Sequence, residues 1–346
     1  MKKFSCRTEY FGTLSSGEKI YQYHLKNARG TVAKLINYGA TLTSFNMLDQ
    51  AQRPLEIVLG FDTLQEYLTH PYYFGCTIGR VANRIANGKF CYADNVIQLH
   101  CNENTTSHLH GGNKGFDKVV WDAKIIETET QVGIEFSYQS PDGEEGYPGN
   151  LSVIASYYLS NTNELKIAFS ATTDQTTAVS LTNHTYWNLA GSGTILDHEL
   201  QISADEYLET DNRHLPTGKI CSVTNTIYDF REPNRIGERI KNHAGYDSYY
   251  ILSDTLCAAR VSDMASGRVL EVETTQPGIQ FYSGHYLRHE KTTAQQLLQP
   301  WAGFCLETHG YPDAMNHPNF PPMMLQPHEV YAHETIYRIL TKPLSF

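Results

Sequence analysis

The run Leu181-Thr182-Asn183-His184-Thr185-Tyr186-Trp187-Asn188-Leu189 brings an imidazole, a phenol and two amides together within nine residues. Its threonine, tyrosine and tryptophan content favours a strand. On a strand, side chains alternate, so Thr182, His184, Tyr186 and Asn188 share one face and Asn183, Thr185 and Trp187 the other. A face that polar is costly inside a core unless partners or a ligand satisfy it. His184 alone also reads as a satisfied core histidine, but its neighbours point to a site where an imidazole moves a proton near neutral pH. Trp187, on the opposite face, reads as core.

Two further segments have the same build. In Gly278-Ile279-Gln280-Phe281-Tyr282, Ile279 and Phe281 form an apolar face while Gln280 and Tyr282 form a polar one. In Gly303-Phe304-Cys305-Leu306-Glu307-Thr308-His309, Phe304 and Leu306 face a core, and Cys305, Glu307 and His309 share the other side. A carboxylate between large apolar residues is seldom placed there for stability. The alternative is a solvent-facing Glu307 on an ordinary amphipathic strand.

Two glycine-rich stretches add donors: Gly79-Arg80-Val81-Ala82-Asn83-Arg84, and His108-Leu109-His110-Gly111-Gly112 leading to Gly115-Phe116-Asp117. Neither has the spacing of a phosphate loop. Asp247, in Gly245-Tyr246-Asp247, reads by itself as a turn residue. Fifteen histidines raise the question of a metal. H-E-x-x-H and paired C-x-x-C are absent, so no metal site is expected, and the lack of G-x-S-x-G removes the usual serine nucleophile. His108 and His110, two apart, would share a face on a strand.

The elements that must carry these residues are strands. Val132, Ile134, Phe136 and Tyr138 alternate with small or polar residues, as do Leu165, Ile167 and Phe169. Similar segments span 20–25, 31–38, 153–159, 268–274, 279–283, 303–308 and 330–340, with turn signals such as Pro141-Asp142-Gly143 and Pro148-Gly149-Asn150 between many of them. Helical periodicity is confined to Thr63–Leu68 and the stretch from Arg235 to Asn242. Many short strands with few helices imply an all-β fold, a sandwich or barrel, and no linker divides residues 1–346, so one domain is expected.

A net charge of −10 and a pI near 5.8 argue against nucleic acid or an anionic membrane as partner. No stretch approaches the ~18 apolar residues of a membrane helix, and no apolar stretch follows Lys2-Lys3 as a secretory signal requires. Seven cysteines, an odd number, fit reduced thiols in a cytoplasm.

Taken in order, these segments resemble the aldose 1-epimerase (galactose mutarotase) family. The run Leu181–Leu189 is similar to its signature, with the N-H-x-Y-[FW]-N core intact. Supporting stretches run from Gly79 to His317: Gly79–Ile85, Leu109–Gly112, Gly115–Lys118, Ala204–Leu208, Gly245–Asp247 and Leu306-Glu307 leading to Pro312-Asp313 and Asn316-His317. The resemblance implies a large antiparallel β-sandwich with few short helices that interconverts the α and β anomers of free aldohexoses. It implies Glu307 as base and His184 as acid, with Asn83, Arg84, His110, Tyr186, Asp247 and Gln280 binding the sugar. No metal and no organic cofactor is implied, and a monomer or homodimer is expected. Two positions depart from the family pattern: His309, where glutamine is common two residues after the base, and His285, where asparagine is common.

Two other functions compete. A hexose-6-phosphate epimerase of related fold would use Arg80, Arg84 or Arg231 for the phosphate. A non-catalytic sugar-binding or regulatory protein would keep the fold without needing an acid–base pair.

Overall fold

The computed structural model describes residues 4–48, 53–93, 95–240, 244–292 and 297–341. Its largest element is a nine-stranded antiparallel sheet. From one edge it runs Asp122–Glu127, Gln131–Ser140, Leu151–Ser160, Glu164–Thr173, Tyr331–Thr341, Arg268–Thr274, Ala259–Asp263, Glu199–Ile202 and Asn234–Arg235. A six-stranded antiparallel sheet carries Tyr186–Trp187, Phe304–His309, Gly278–Tyr282, Asp247–Ile251, Glu206–Thr210 and Pro216–Ser222. A five-stranded meander, Ser5–Thr13 through Pro54–Glu56, completes the main layers.

One apolar core lies between them. Val132, Ile134, Phe136, Val153 and Ile167 from the nine-stranded sheet join Ile279, Phe281, Phe304 and Leu306 from the six-stranded sheet and Leu35, Leu42 and Phe45 from the meander. Trp187 is at the junction, with ring centroids 6.0 Å from Phe45 and 5.2 Å from Tyr337. The Tyr337 hydroxyl donates to the Leu306 carbonyl at 3.0 Å, tying the two larger sheets together. The all-β reading holds, as does the core role of Trp187, which is fully buried.

Of the two expected helices, one forms. Leu64–Thr69 is α-helical because Thr63 caps it: its hydroxyl accepts from the Glu66 N–H and donates to the Glu66 carboxylate, a reciprocal cap three residues apart. The stretch from Arg235 forms a 3₁₀ turn, Ile236–Glu238, and no α-helix through Ile240, and the last two positions of that expectation, 241–242, lie outside the described residues. No helix among the described residues is long and apolar enough to cross a membrane.

The run 181–189 is not one strand. Thr182–Asn183 pairs with Thr77–Ile78, and Tyr186–Trp187 pairs with Phe304 and Cys305. Between them the chain passes from one partner to the other, and the His184 backbone is held instead by Gly75 and Cys76 through two 2.9 Å hydrogen bonds. The two faces read from sequence survive this change of partner: His184 and Tyr186 stack on one side, while Thr185 donates to Asn183 and Trp187 enters the core on the other.

Candidate active site

The open face of the six-stranded sheet forms one wall of a pocket of about 290 Å³, at the small end of ligand-binding cavities. Register explains which side chains meet there. Gln280 lies directly opposite Glu307, so both project from the same face, and Asp247 enters from the next strand. The Gln280 side-chain amide donates to Asp247 Oδ1 at 2.6 Å. Asp247 is therefore the first residue of a strand and part of the pocket wall, where the sequence alone suggested a turn. Glu307 is 3% exposed, so the solvent-facing alternative for it is overturned.

The opposite wall comes from the two glycine-rich loops, which brace each other. The His110 N–H donates to the Asn83 carbonyl at 3.0 Å, and the Asn83 N–H donates to His110 Nδ1 at 3.2 Å. Asn83 and His110 both have positive φ, 62° and 51°. Between them Gly111 permits a close crossing, since a Cβ there would meet the Gly79 carbonyl oxygen at 1.8 Å. The left-handed turn at His110 also corrects the pairing expected with His108. The strand Ser107–Leu109 ends before His110, and His108 turns away to the Tyr147 hydroxyl (2.7 Å) and the His100 carbonyl (2.7 Å).

All eight residues singled out from sequence, Asn83, Arg84, His110, His184, Tyr186, Asp247, Gln280 and Glu307, line this one pocket. Although 307 − 184 = 123 residues apart in the chain, His184 Nε2 and Glu307 Oε1 are 3.6 Å apart. That is too long for a hydrogen bond between them and leaves each free to serve an atom of a bound molecule. Tyr186 lies nearly parallel to the His184 ring at 5.1 Å, and Tyr73 stacks on it at 5.8 Å. Glu307 Oε2 and Gln280 Oε1 are buried without a hydrogen-bond partner among the described residues, the condition expected of acceptors awaiting a hydroxyl-bearing ligand.

Burial and neighbouring charge push the two central groups in opposite directions. Burial raises the Glu307 carboxyl well above its usual range, and the negative charge of Asp247 adds to this, while Arg84 opposes it. Burial lowers His184 to about 4, despite partial compensation from a backbone hydrogen bond and Asp247. His110 is also held well below 6.5, by burial first and then by His184 and Arg84.

His110, His184 and Glu307 each present a potential metal-ligating atom within 4.8 Å of the others. The hydrogen bonding does not suit a metal. His110 Nδ1 accepts from the Asn83 N–H, which puts the ring proton on Nε2. Ligation through Nε2 would require the proton on Nδ1, pointing at that same N–H. The arrangement suits a histidine that donates a hydrogen bond.

Sequence reasoning passed over several lining residues: Pro71, Tyr72, Tyr73, Tyr286 and Arg288. Tyr282 was legible on the polar face with Gln280 and does line the pocket. Arg80 and Arg231 do not line it. Arg80 is 2% exposed, and its guanidinium is spent on Ser140, Pro141, Pro148, Gly149 and Thr177. Arg231 pairs with Asp229 and Asp205. Of the two departures from pattern, His309 is buried against Tyr249 with Nδ1 2.6 Å from the Gly310 carbonyl oxygen. His285 packs on Tyr286, with ring centroids 4.1 Å apart.

The chain matches the family model described as Aldose 1-epimerase over residues 21–338. It is 43% identical over 338 residues to a galactose mutarotase of Rattus norvegicus, covering 95% of this chain and 96% of the relative. It is 34% identical to an aldose 1-epimerase of Escherichia coli K12 over 331 residues, 92% and 94% of the two chains. Its fold is similar to the crystal structure of a galactose 1-epimerase from Lactobacillus acidophilus, with a TM-score of 0.88, 27% identity and coverage of 97% and 99%. An aldose epimerase homologue from C. elegans superposes with a TM-score of 0.84 at 30% identity, covering 90% and 96%. The chain belongs to the aldose 1-epimerase family.

Proposed function

We propose that this protein is an aldose 1-epimerase that interconverts the α and β anomers of free aldohexoses, with Glu307 and His184 as its acid–base pair. The observation that carries this reading is the meeting of a buried carboxylate and a buried imidazole 3.6 Å apart in a small pocket. Anomer interconversion needs a base at the C1 hydroxyl and an acid at the ring oxygen. Glu307 takes the O1 proton as the C1–O5 bond breaks, and His184 gives a proton to O5. The product is the open-chain aldehyde, with Glu307 protonated and His184 neutral. Rotation about C1–C2 presents the other face of the carbonyl. Return of both protons then closes the ring as the other anomer, and the pair ends as it began.

The pair therefore works with one proton between its members. Before ring opening the proton is on His184 and the two groups are oppositely charged; after opening it is on Glu307 and neither is charged. Burial favours the uncharged arrangement, in keeping with the directions in which both groups are shifted. Burial of the pair thus supports the open-chain stage, while hydroxyl contacts must stabilise the charged stage. Arg84, His110, Asp247, Gln280 and Asn83 supply donors and acceptors for those contacts, and Tyr186 an aromatic face beside His184. Fixed positioning of this kind is itself a large part of a rate acceleration.

A hexose-6-phosphate epimerase is less favoured, because only Arg84 of the three candidate cations reaches the pocket, and it is already paired with Glu103. The seven free thiols fit a reducing, cytoplasmic setting. The test is polarimetry on freshly dissolved α-D-galactose and α-D-glucose. Catalytic acceleration of the approach to the equilibrium rotation supports the reading, whereas sugar binding by calorimetry with no acceleration on any aldose favours the non-catalytic alternative.

A further inference from the structure

Glu103 is outside every motif that identifies the site, yet it holds one of the site's residues. Its carboxylate takes the Arg84 guanidinium in a two-pronged pair, Nε to Oε2 at 2.7 Å and Nη2 to Oε1 at 2.8 Å. Arg84 lines the pocket, and Nη1 has no hydrogen-bond partner among the described residues. The fork-to-fork geometry fixes the plane of the guanidinium as well as its place. We propose that Glu103 is a positioning residue for substrate binding, setting the Arg84 guanidinium so that Nη1 is presented to a sugar hydroxyl. This inference rests on the reading of the pocket as an aldose site.

Three features support it. First, three carboxylates compete for this cation. Asp247 lines the same pocket and Glu307 feels the Arg84 charge. A guanidinium released from Glu103 would be drawn onto one of them, occupying an acceptor that a sugar hydroxyl needs. Second, the carboxylate is offered by a rigid support. Glu103 and Ser107 bridge through backbone hydrogen bonds of 3.1 Å around a turn with positive φ at Asn104 and Thr105. Asn102 locks the base of the loop by accepting from the Leu109 N–H at 2.7 Å and donating to the Leu109 and Gly112 carbonyls at 3.0 Å. The strand leaving that turn pairs Leu109 with Arg84, so both partners sit on one small ribbon. Third, the loop is closed by Asn102 and by backbone bonds. The Glu103 carboxylate is thus not required to build it, which separates a positioning role from a scaffolding one.

The test is a double-mutant cycle read by initial mutarotation rates on α-D-galactose and α-D-glucose, with melting temperatures followed by circular dichroism. Glu103→Gln in the otherwise native protein is expected to raise KM about tenfold and leave kcat within about twofold. Glu103→Asp, which keeps the charge, is expected to stay within about threefold of the native KM. In an Arg84→Met background, Glu103→Gln is expected to change KM no further. Equal effects of Glu103→Gln in both backgrounds, or a native KM in Glu103→Gln, overturn the proposal. If Glu103→Gln does not fold, Glu103→Asp decides: a KM rise of tenfold or more in a folded Glu103→Asp overturns it. A native protein inactive on every aldose overturns the reading of the pocket, and this inference with it. An active native protein with an additive cycle overturns this inference alone.

Discussion

The opposed shifts of Glu307 and His184 lead to a distinctive pH dependence. The working pair carries one proton. Adding a second charges His184 while Glu307 is already protonated, and this occurs near the lowered His184 value of about 4 rather than the ordinary 6.5. Charging that imidazole thus costs about 3 kcal/mol more than in water, at ~1.4 kcal/mol per pH unit. Losing the single proton leaves an ionised Glu307 beside a neutral His184, and burial and Asp247 place that loss well above the usual carboxylate range. The expected kcat/KM profile is a bell whose acid limb falls near pH 4 and whose alkaline limb reports the raised carboxyl; both limbs belong to the pair. The assay is polarimetry from about pH 3.5 to 9, corrected at each pH for spontaneous mutarotation. Asp247→Asn provides a second arm. Asp247 raises both groups, so both limbs are expected at lower pH in the variant, whatever its absolute rate. A single limb centred near 6.5, with activity already gone at pH 5, would refute the one-proton scheme. So would a profile unmoved in Asp247→Asn.

Two shorter predictions concern the arginines. Arg80→Met removes the donor for four carbonyls, those of Ser140, Pro141, Pro148 and Gly149. At ~1–3 kcal/mol per buried polar group left unpaired, with partial rehydration, the loss is about 4 kcal/mol. Over 346 residues, at ~2 cal/mol/K per residue, this lowers Tm by about 6 °C, and a calorimetric melt unchanged within a degree would contradict the assignment. Glucose 6-phosphate is expected to react with a kcat/KM at least about 100-fold below glucose. The pocket sets the carboxylates of Glu307 and Asp247 beside Arg288 and an Arg84 already paired with Glu103, and like-charge juxtaposition of a phosphate with those carboxylates costs several kcal/mol. Equal rates on the two sugars would show that the phosphate reading was right.

The strands were legible because they obey a local rule. Alternation along 132–138, 165–169 and 279–282 survives in the structure because each of these segments lies in one sheet with one face on the core. At 181–189 the alternation of His184 and Tyr186 against Trp187 also holds, but the single strand expected there does not form, since pairing with Thr77–Ile78 and then Phe304–Cys305 is a long-range matter. His108 and His110 illustrate a second limit: the positive φ at His110 separates two side chains that spacing would place together. Arg80 and Arg84 look alike in sequence, yet one is consumed by carbonyls and the other lines the pocket. No local pattern connects His184 to Glu307; their juxtaposition was expected from family resemblance. Glu103 carried no signal, because its role lies in a partner nineteen positions away.

The central claim is that Glu307 takes the C1 hydroxyl proton. Its most direct test is the mutarotation rate of Glu307→Gln, which keeps the shape of the side chain and removes the base, measured beside calorimetric sugar affinity. The expected result is a kcat lowered at least about 10³-fold, with general-base catalysis contributing ~10²–10⁴-fold, and a sugar Kd within a few-fold of the native protein. Full activity in Glu307→Gln would contradict the account.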